Sequence, residues 1–221
     1  MRTGKANLWH VMPAVWALTF AFVCQAGTIN AHVTTAEGEP LTAAVVTAVP
    51  MGQTAIQAKA GTKAVMIQEG KQFVPFVLPV QLGTTVEFPN HDPFRHQVYS
   101  FSPAKTFELK LYGGSVVSTV VFDKEGVVPL GCNIHDNMLA YIYVVGTPYF
   151  SATDDTGAGK LSQLPPGTYS VKVWHPNQKA GQGETRTVEV TATSNADITL
   201  QVELKHGRTQ RKPGAVDETY N

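Results

Sequence analysis

Apolar and polar positions alternate in short runs through most of the chain. Ile29, Ala31 and Val33 are separated by polar residues, and Phe107, Leu109 and Leu111 alternate with Glu108 and Lys110. Tyr169, Val171 and Val173 repeat the pattern, as do Val188 with Val190 and Ile198 with Leu200 and Val202. A period of two sends successive side chains to opposite faces of a strand. Turn signals bound the runs: Glu37-Gly38-Glu39-Pro40, Leu82-Gly83, Gly113-Gly114, Asp154-Asp155-Thr156-Gly157 and Leu164-Pro165-Pro166-Gly167. No helix is needed after residue 26, so the pattern predicts an all-β protein of short strands and tight turns.

The runs fall into three blocks. Thr28 to Pro50 predicts two strands, and the small, polar stretch from Gly52 to Lys63 predicts a linker. A second block predicts about eight strands: Ala64–Ile67, Phe73–Val80, Thr85–Phe88, His96–Tyr99, Phe107–Leu111, Thr119–Phe122, Val127–Leu130 and Leu139–Val145. Asn90 to Arg95 is a polar loop between the third and fourth of these. The third block, Tyr149 to Leu204, is again strand-rich. The 19 glycines and 14 prolines of the whole chain support turns over helices.

The N-terminus breaks this pattern. Arg2 and Lys5 precede an apolar stretch from Val11 to Val23, and Ala26 follows. A basic head, a short apolar middle and a small residue at the end form a secretory signal peptide over residues 1–26. An uncleaved anchor, or a lipid on Cys24, are the other readings of the segment. Export predicts a periplasmic or otherwise secreted protein with no stable membrane span after cleavage. Removal of Arg2 and Lys5 from 17 basic residues, against 17 acidic ones, leaves a net charge of about −2. Nothing in that balance points to nucleic acid. Residues 205–221 hold the one basic cluster, Lys205, Arg208, Arg211 and Lys212, and predict a solvated tail. Of the 2 cysteines, cleavage removes Cys24, and Cys132 is left without a partner for an internal disulfide.

Cys132 lies in Gly131-Cys132-Asn133-Ile134-His135-Asp136-Asn137-Met138, between two predicted strands, and His96 starts an earlier one. One thiolate, two imidazoles and one thioether suit copper: soft sulfur favours Cu(I), and imidazole binds both oxidation states. A His2Cys site with a weak axial Met lies between the geometries the two states prefer, which lowers the barrier to electron exchange. Buried inertness for Cys132 and core filling for Met138 leave unexplained why both flank His135. His91 in the polar loop is taken as a solvated neighbour of His96, and His175 as structural. His32 and His206 have no partners in sequence.

The motifs Asn90-x5-His96-x-Val98, Gly126-Val127-Val128 and the Cys132 loop, together with Phe73-x-Pro75 and Gly83 to Asn90, resemble the cupredoxins over residues 64–146. The Cys-x2-His-x2-Met spacing is similar to that of the amicyanins. The resemblance implies a Greek-key β-sandwich holding one type 1 copper ion on His96, Cys132, His135 and Met138, with His135 the exposed ligand. It departs at Gln97, where many cupredoxins carry an Asn that braces the Cys loop. Residues 28–63 and 147–204 resemble a second, smaller sandwich of the transthyretin or carboxypeptidase-regulatory type, through Glu37 to Leu41, Asp155 to Gly157 and Leu164 to Val171. Chain directions counted through the turns bring the two ends of 64–146 to the side remote from the ligand loop, as an insertion into that sandwich requires; two domains in series, with an extra N-terminal hairpin, are the other reading.

The expected function is transfer of single electrons between redox proteins, without catalysis. A copper-binding or delivery protein without redox turnover and a non-catalytic binding module are the alternatives. A cysteine hydrolase using Cys132 and His135 leaves Met138 unexplained and lacks oxyanion donors.

Overall fold

The structure is a computed structural model that describes residues 26–192 and 195–205. Residues 1–25 of the expected signal peptide, with Cys24, and the basic tail from His206 lie outside the described residues. The described residues are all-β, with 18 strands and no helix. No helix among them is long and apolar enough to cross a membrane.

In chain order, β1 spans Gly27–Thr35 and β2 Val45–Pro50. Ten strands follow: β3 Lys63–Val65, β4 Ile67–Glu69, β5 Gln72–Val74, β6 Val77–Gln81, β7 Thr85–Phe88, β8 His96–Ser102, β9 Lys105–Tyr112, β10 Ser118–Val121, β11 Gly126–Gly131 and β12 Leu139–Val145. The last six are β13 Phe150–Ala152, β14 Ala158–Leu164, β15 Gly167–Trp174, β16 Gln178–Gly183, β17 Thr185–Val190 and β18 Asn195–Leu204.

These strands enclose two separate apolar cores. The first packs Met66, Phe73, Val86, Phe88, Val98, Phe122, Leu130 and Ile142 between a five-stranded sheet, β6-β12-β11-β8-β9, and a three-stranded one, β10-β7-β3. The second packs Ile29, Leu41, Val46, Leu161, Leu164, Val171, Leu200 and Val202 between two four-stranded sheets, β14-β1-β18-β16 and β13-β2-β15-β17. Each fully buried side chain of this kind stabilises the fold by about 1.5–3 kcal/mol. We call them the site sandwich and the outer sandwich. In the outer one, β1 and β18 pair in parallel from Thr28–Asn195 to Thr35–Val202, so the first and last strands lie side by side.

Two expected strands are each broken in two. Ala64–Ile67 divides at Met66, which separates β3, paired with β7, from β4, paired with β5. Phe73–Val80 divides around Pro75, which has no N–H for a ladder. The short hairpin β4–β5 that results projects beside the loop Asn90 to Arg95, as the Gln68–Asn90 bridge records. The site sandwich therefore has ten strands where the alternation predicted eight. In the third block, β13, β14 and β16 were not among the predicted runs.

Where the sandwiches meet, the Trp174 ring at the end of β15 packs on Tyr143 and Tyr141 of β12, with centroids 4.9 and 6.1 Å apart. The strandless segment after β2 runs along the same seam. Ile56 N–H donates to Gly146 C=O at 2.8 Å, and Ala58 N–H to Leu82 C=O at 2.7 Å.

Candidate metal centre

Three of the four sequence-predicted ligands come from one hairpin. β11 and β12 pair in register from Gly126–Val144 to Gly131–Leu139, so residues 132–138 form the loop that joins them. Cys132 is its first residue and Met138 its last, and both are buried. Met138 N–H donates to His135 C=O at 3.0 Å, which closes the turn between them. A Cβ at Gly131, before Cys132, would lie 2.7 Å from Cζ of Tyr99 on the neighbouring strand β8, so a larger residue there would force that ring to shift.

His96 is the first residue of β8 and fully buried. It pairs with Tyr112, and the register slips between His96 and Val98. Such a bulge re-aims a side chain at the end of a ladder. The thiol of Cys132 lies 3.9 Å from His96 Nδ1 and 3.8 Å from His135 Nδ1. One donor atom from each of the three residues lies within 4.8 Å of the others. The two imidazole rings stand 4.9 Å apart, and Phe94 packs against both, at 5.1 and 5.7 Å.

These spacings fit a metal better than a hydrogen bond. A thiol has a single proton and serves one acceptor at a time. Here two ring nitrogens are nearly equidistant from the sulfur. Typical bonds of a late first-row ion, about 2.3 Å to sulfur and about 2.0–2.1 Å to imidazole, separate S and N by about 3.8 Å when they diverge at about 120°. Softness points the same way, because thiolate and imidazole together suit Cu, Zn or Fe rather than Mg or Ca.

The surroundings hold the rings in place. Asn90 accepts from Asp92 N–H at 2.9 Å and donates to Phe94 C=O at 2.8 Å and Tyr112 C=O at 3.1 Å. Asp92, in turn, lies 2.7 Å from His96 Nε2 and accepts from the N–H groups of Gly70 at 2.8 Å and Lys71 at 3.0 Å. Burial alone would raise the Asp92 carboxyl, but the Lys71 N–H, the His96 ring and the Gly70 N–H outweigh it and hold the group below its ordinary range. The Tyr112 hydroxyl donates to Phe88 C=O at 2.6 Å and accepts from Gln68 at 2.6 Å. Burial pushes its pKa up to about 12, against the lowering effect of Gln68.

His135 is only partly buried. Burial first, then the charges of His96 and Lys71, shift its pKa downward, with Asp92 opposing, so the ring favours the neutral form that binds metals. Ile134 beside it and Phe94 above it are exposed.

Other sequence expectations resolve differently. The Gln97 amide donates to Glu108 on β9 at 2.6 Å. Asn90 and Asp92, in the loop before β8, instead brace the His96 side of the site. His91 is exposed, and its backbone N–H donates to Gln68 C=O at 2.8 Å. His175 is buried in the outer sandwich, where Nδ1 accepts from Asn177 N–H at 3.2 Å. It joins no cluster of metal-ligating side chains among the described residues.

No family model matches the chain, and no curated protein matches it. Among solved structures it is similar to a Cu-containing nitrite reductase from Thermus scotoductus SA-01, at 27% identity and TM-score 0.37, over 45% of this chain. The match spans only 25% of that reductase. It is also similar to the reduced Cu(I) form of a P52G amicyanin, at 16% identity and TM-score 0.35, over 44% of this chain and 98% of that one. A purple cupredoxin from Nitrosopumilus maritimus is similar at 22% identity and TM-score 0.33, over 38% of this chain and 98% of that one.

Proposed function

We propose that this chain is an exported copper protein that passes single electrons between redox partners. One observation carries the reading: the Cys132 sulfur stands 3.9 and 3.8 Å from two imidazole nitrogens. His96, Cys132 and His135 would hold one copper ion, with Met138 as the weak fourth donor. Copper held by such a set supplies a one-electron couple with little rearrangement. The chain does the rest. Burial of His96, Cys132 and Met138 excludes water from three sides, and the partly buried ring of His135 offers a route to the surface. Four protein donors leave no open position for a substrate, which favours a carrier over an enzyme.

We take the outer sandwich as an accessory, transthyretin-like body into which residues 64–146 are inserted, and the parallel pairing of β1 with β18 supports this. Export to the periplasm or beyond is supported by the N-terminal sequence pattern.

The test is Cu(II) titration of the purified protein. An intense visible thiolate-to-copper band with a reversible one-electron couple is expected, and Cys132→Ser should abolish the band. Copper uptake without a reversible couple would replace the carrier with a delivery protein. A sample that takes no copper would overturn the reading.

A further inference from the structure

A tight polar cluster lies behind the candidate ligands. Asp92 is gripped from three directions, and two of the grips come from the tip of the β4–β5 hairpin. Gly70 and Lys71 form its two-residue turn, with φ of 60° and 56°. Positive φ at both central residues is the type I′ geometry. Lys71 is not glycine, and the left-handed region is unfavourable for such a residue. The turn is held in a conformation that aims both N–H groups at one carboxylate. The other side of that carboxylate faces His96 Nε2, with side-chain exposures of 8% for Asp92 and 0% for His96. The Lys71 ammonium lies 5.9 Å from the centroid of the Phe94 ring.

The chemistry of this arrangement has one direction. Peptide N–H groups donate to both oxygens of Asp92, so the carboxylate meets His96 as an acceptor. In the neutral ring Nε2 then carries the proton, and Nδ1, the atom turned to Cys132, keeps its lone pair. We propose that Asp92 is a positioning residue: it fixes the metal-ready tautomer of His96 before any ion arrives and biases the bound ion toward Cu(II). A carboxylate behind an imidazole raises the basicity of the ligating nitrogen, and the more highly charged ion gains more from it. The second half of this inference rests on the copper reading above; the first half does not.

Two measurements decide it. In the metal-free protein, long-range 1H–15N correlations should show His96 protonated at Nε2 and bare at Nδ1. Protonation at Nδ1 would overturn the proposal, whatever the protein binds. In Asp92→Asn, an amide NH2 in place of the acceptor favours the opposite tautomer. Its affinity for Co(II), a redox-silent probe, should fall about 10–100-fold. Its preference for Cu(II) over Cu(I) should fall about tenfold, a rise of about 59 mV in a one-electron couple. Asp92→Glu keeps the charge and should lose less. Wild-type affinity and potential in Asp92→Asn would overturn the proposal. If that variant does not fold, the wild-type tautomer still settles the matter. A wild type that takes neither metal would sink the copper reading while leaving the tautomer result to judge Asp92.

Discussion

In the outer sandwich the buried polar side chains are mostly threonines, and the backbone beside them satisfies them. Thr153 donates to Leu41 C=O at 2.6 Å and accepts from Ala44 N–H at 3.0 Å, and Thr147 donates to Ala48 C=O at 2.7 Å. In the site sandwich, Gln68, Asn90, Asp92, His96 and Tyr112 gather at one end and bond to one another or to the strand ends around them. The two buried histidines sharpen the contrast. His96 is 0% exposed and His175 3%, so burial does not separate them. His175 accepts from the turn that follows it, which is a structural use of a ring nitrogen. His96 turns one nitrogen to a carboxylate and the other to a thiol. A site is marked by donors that converge without being consumed, not by a polar group taken out of water.

The strongest way to break this comparison is to damage the outer core and watch the site. Leu200 is fully buried between β1 and β16, in the core that contains no candidate ligand. Leu200→Ala should cost about 2–5 kcal/mol of outer-sandwich stability. If the two cores are separate bodies, copper affinity should stay within about twofold while chemical denaturation shows two transitions where the wild type shows one. Parallel loss of the site and the outer core would show that one cooperative unit holds both.

The same contrast explains what was legible in the sequence. The clean alternation of Phe107, Leu109 and Leu111, or of Tyr169, Val171 and Val173, announces a strand because each run has its own buried face. β14 has Gly159, Lys160 and Ser162 where β-branched residues would be expected, and it is a strand because β1 pairs with it. The ligand loop was legible because its donors sit within seven residues. Asp92 was not, because its role depends on two N–H groups from a hairpin about twenty residues earlier, and that hairpin exists only once the expected strands divide at Met66 and Pro75. The resemblance to cupredoxins drew attention to Gln97, on the opposite side of His96, which turned out to face Glu108.

A pH series sharpens the difference between the two histidines. Burial lowers the pKa of His175 from 6.5 to about 4. Above pH 6.5 the ring is neutral folded or unfolded, so it contributes nothing to the pH dependence. As pH falls from there toward about 4, the unfolded chain binds a proton that the fold resists, and stability drops by about 3 kcal/mol. His175→Asn keeps an acceptor for Asn177 N–H and removes the titration. The difference in urea stability between wild type and variant should therefore change with the same sign across that window and level off below it. The lowered carboxyls of Asp92, Asp123 and Asp154 lose their stabilising contribution only as pH falls through and below their ordinary value of 3.8, and they are common to both proteins. A flat difference would mean that His175 gains a proton without opening the fold.

The smallest effect concerns the seam. Trp174 lies 4.9 Å from Tyr143 with the ring planes at 44°, and 6.1 Å from Tyr141 at 66°. Trp174 closes a strand of the outer sandwich, and both tyrosines belong to β12, which begins directly after Met138. Aromatic pairs of this geometry couple by about 0.5–1.5 kcal/mol beyond the area they bury. A double-mutant cycle on Trp174→Leu and Tyr143→Leu isolates that energy, provided each single change leaves its neighbours in place. Coupling in this range would make the seam a specific contact that orients one sandwich on the other. Coupling near zero would leave the connecting chain and the backbone bonds of Ile56 and Ala58 as the link, and the outer sandwich would then be free to vary its angle to the end that carries His135.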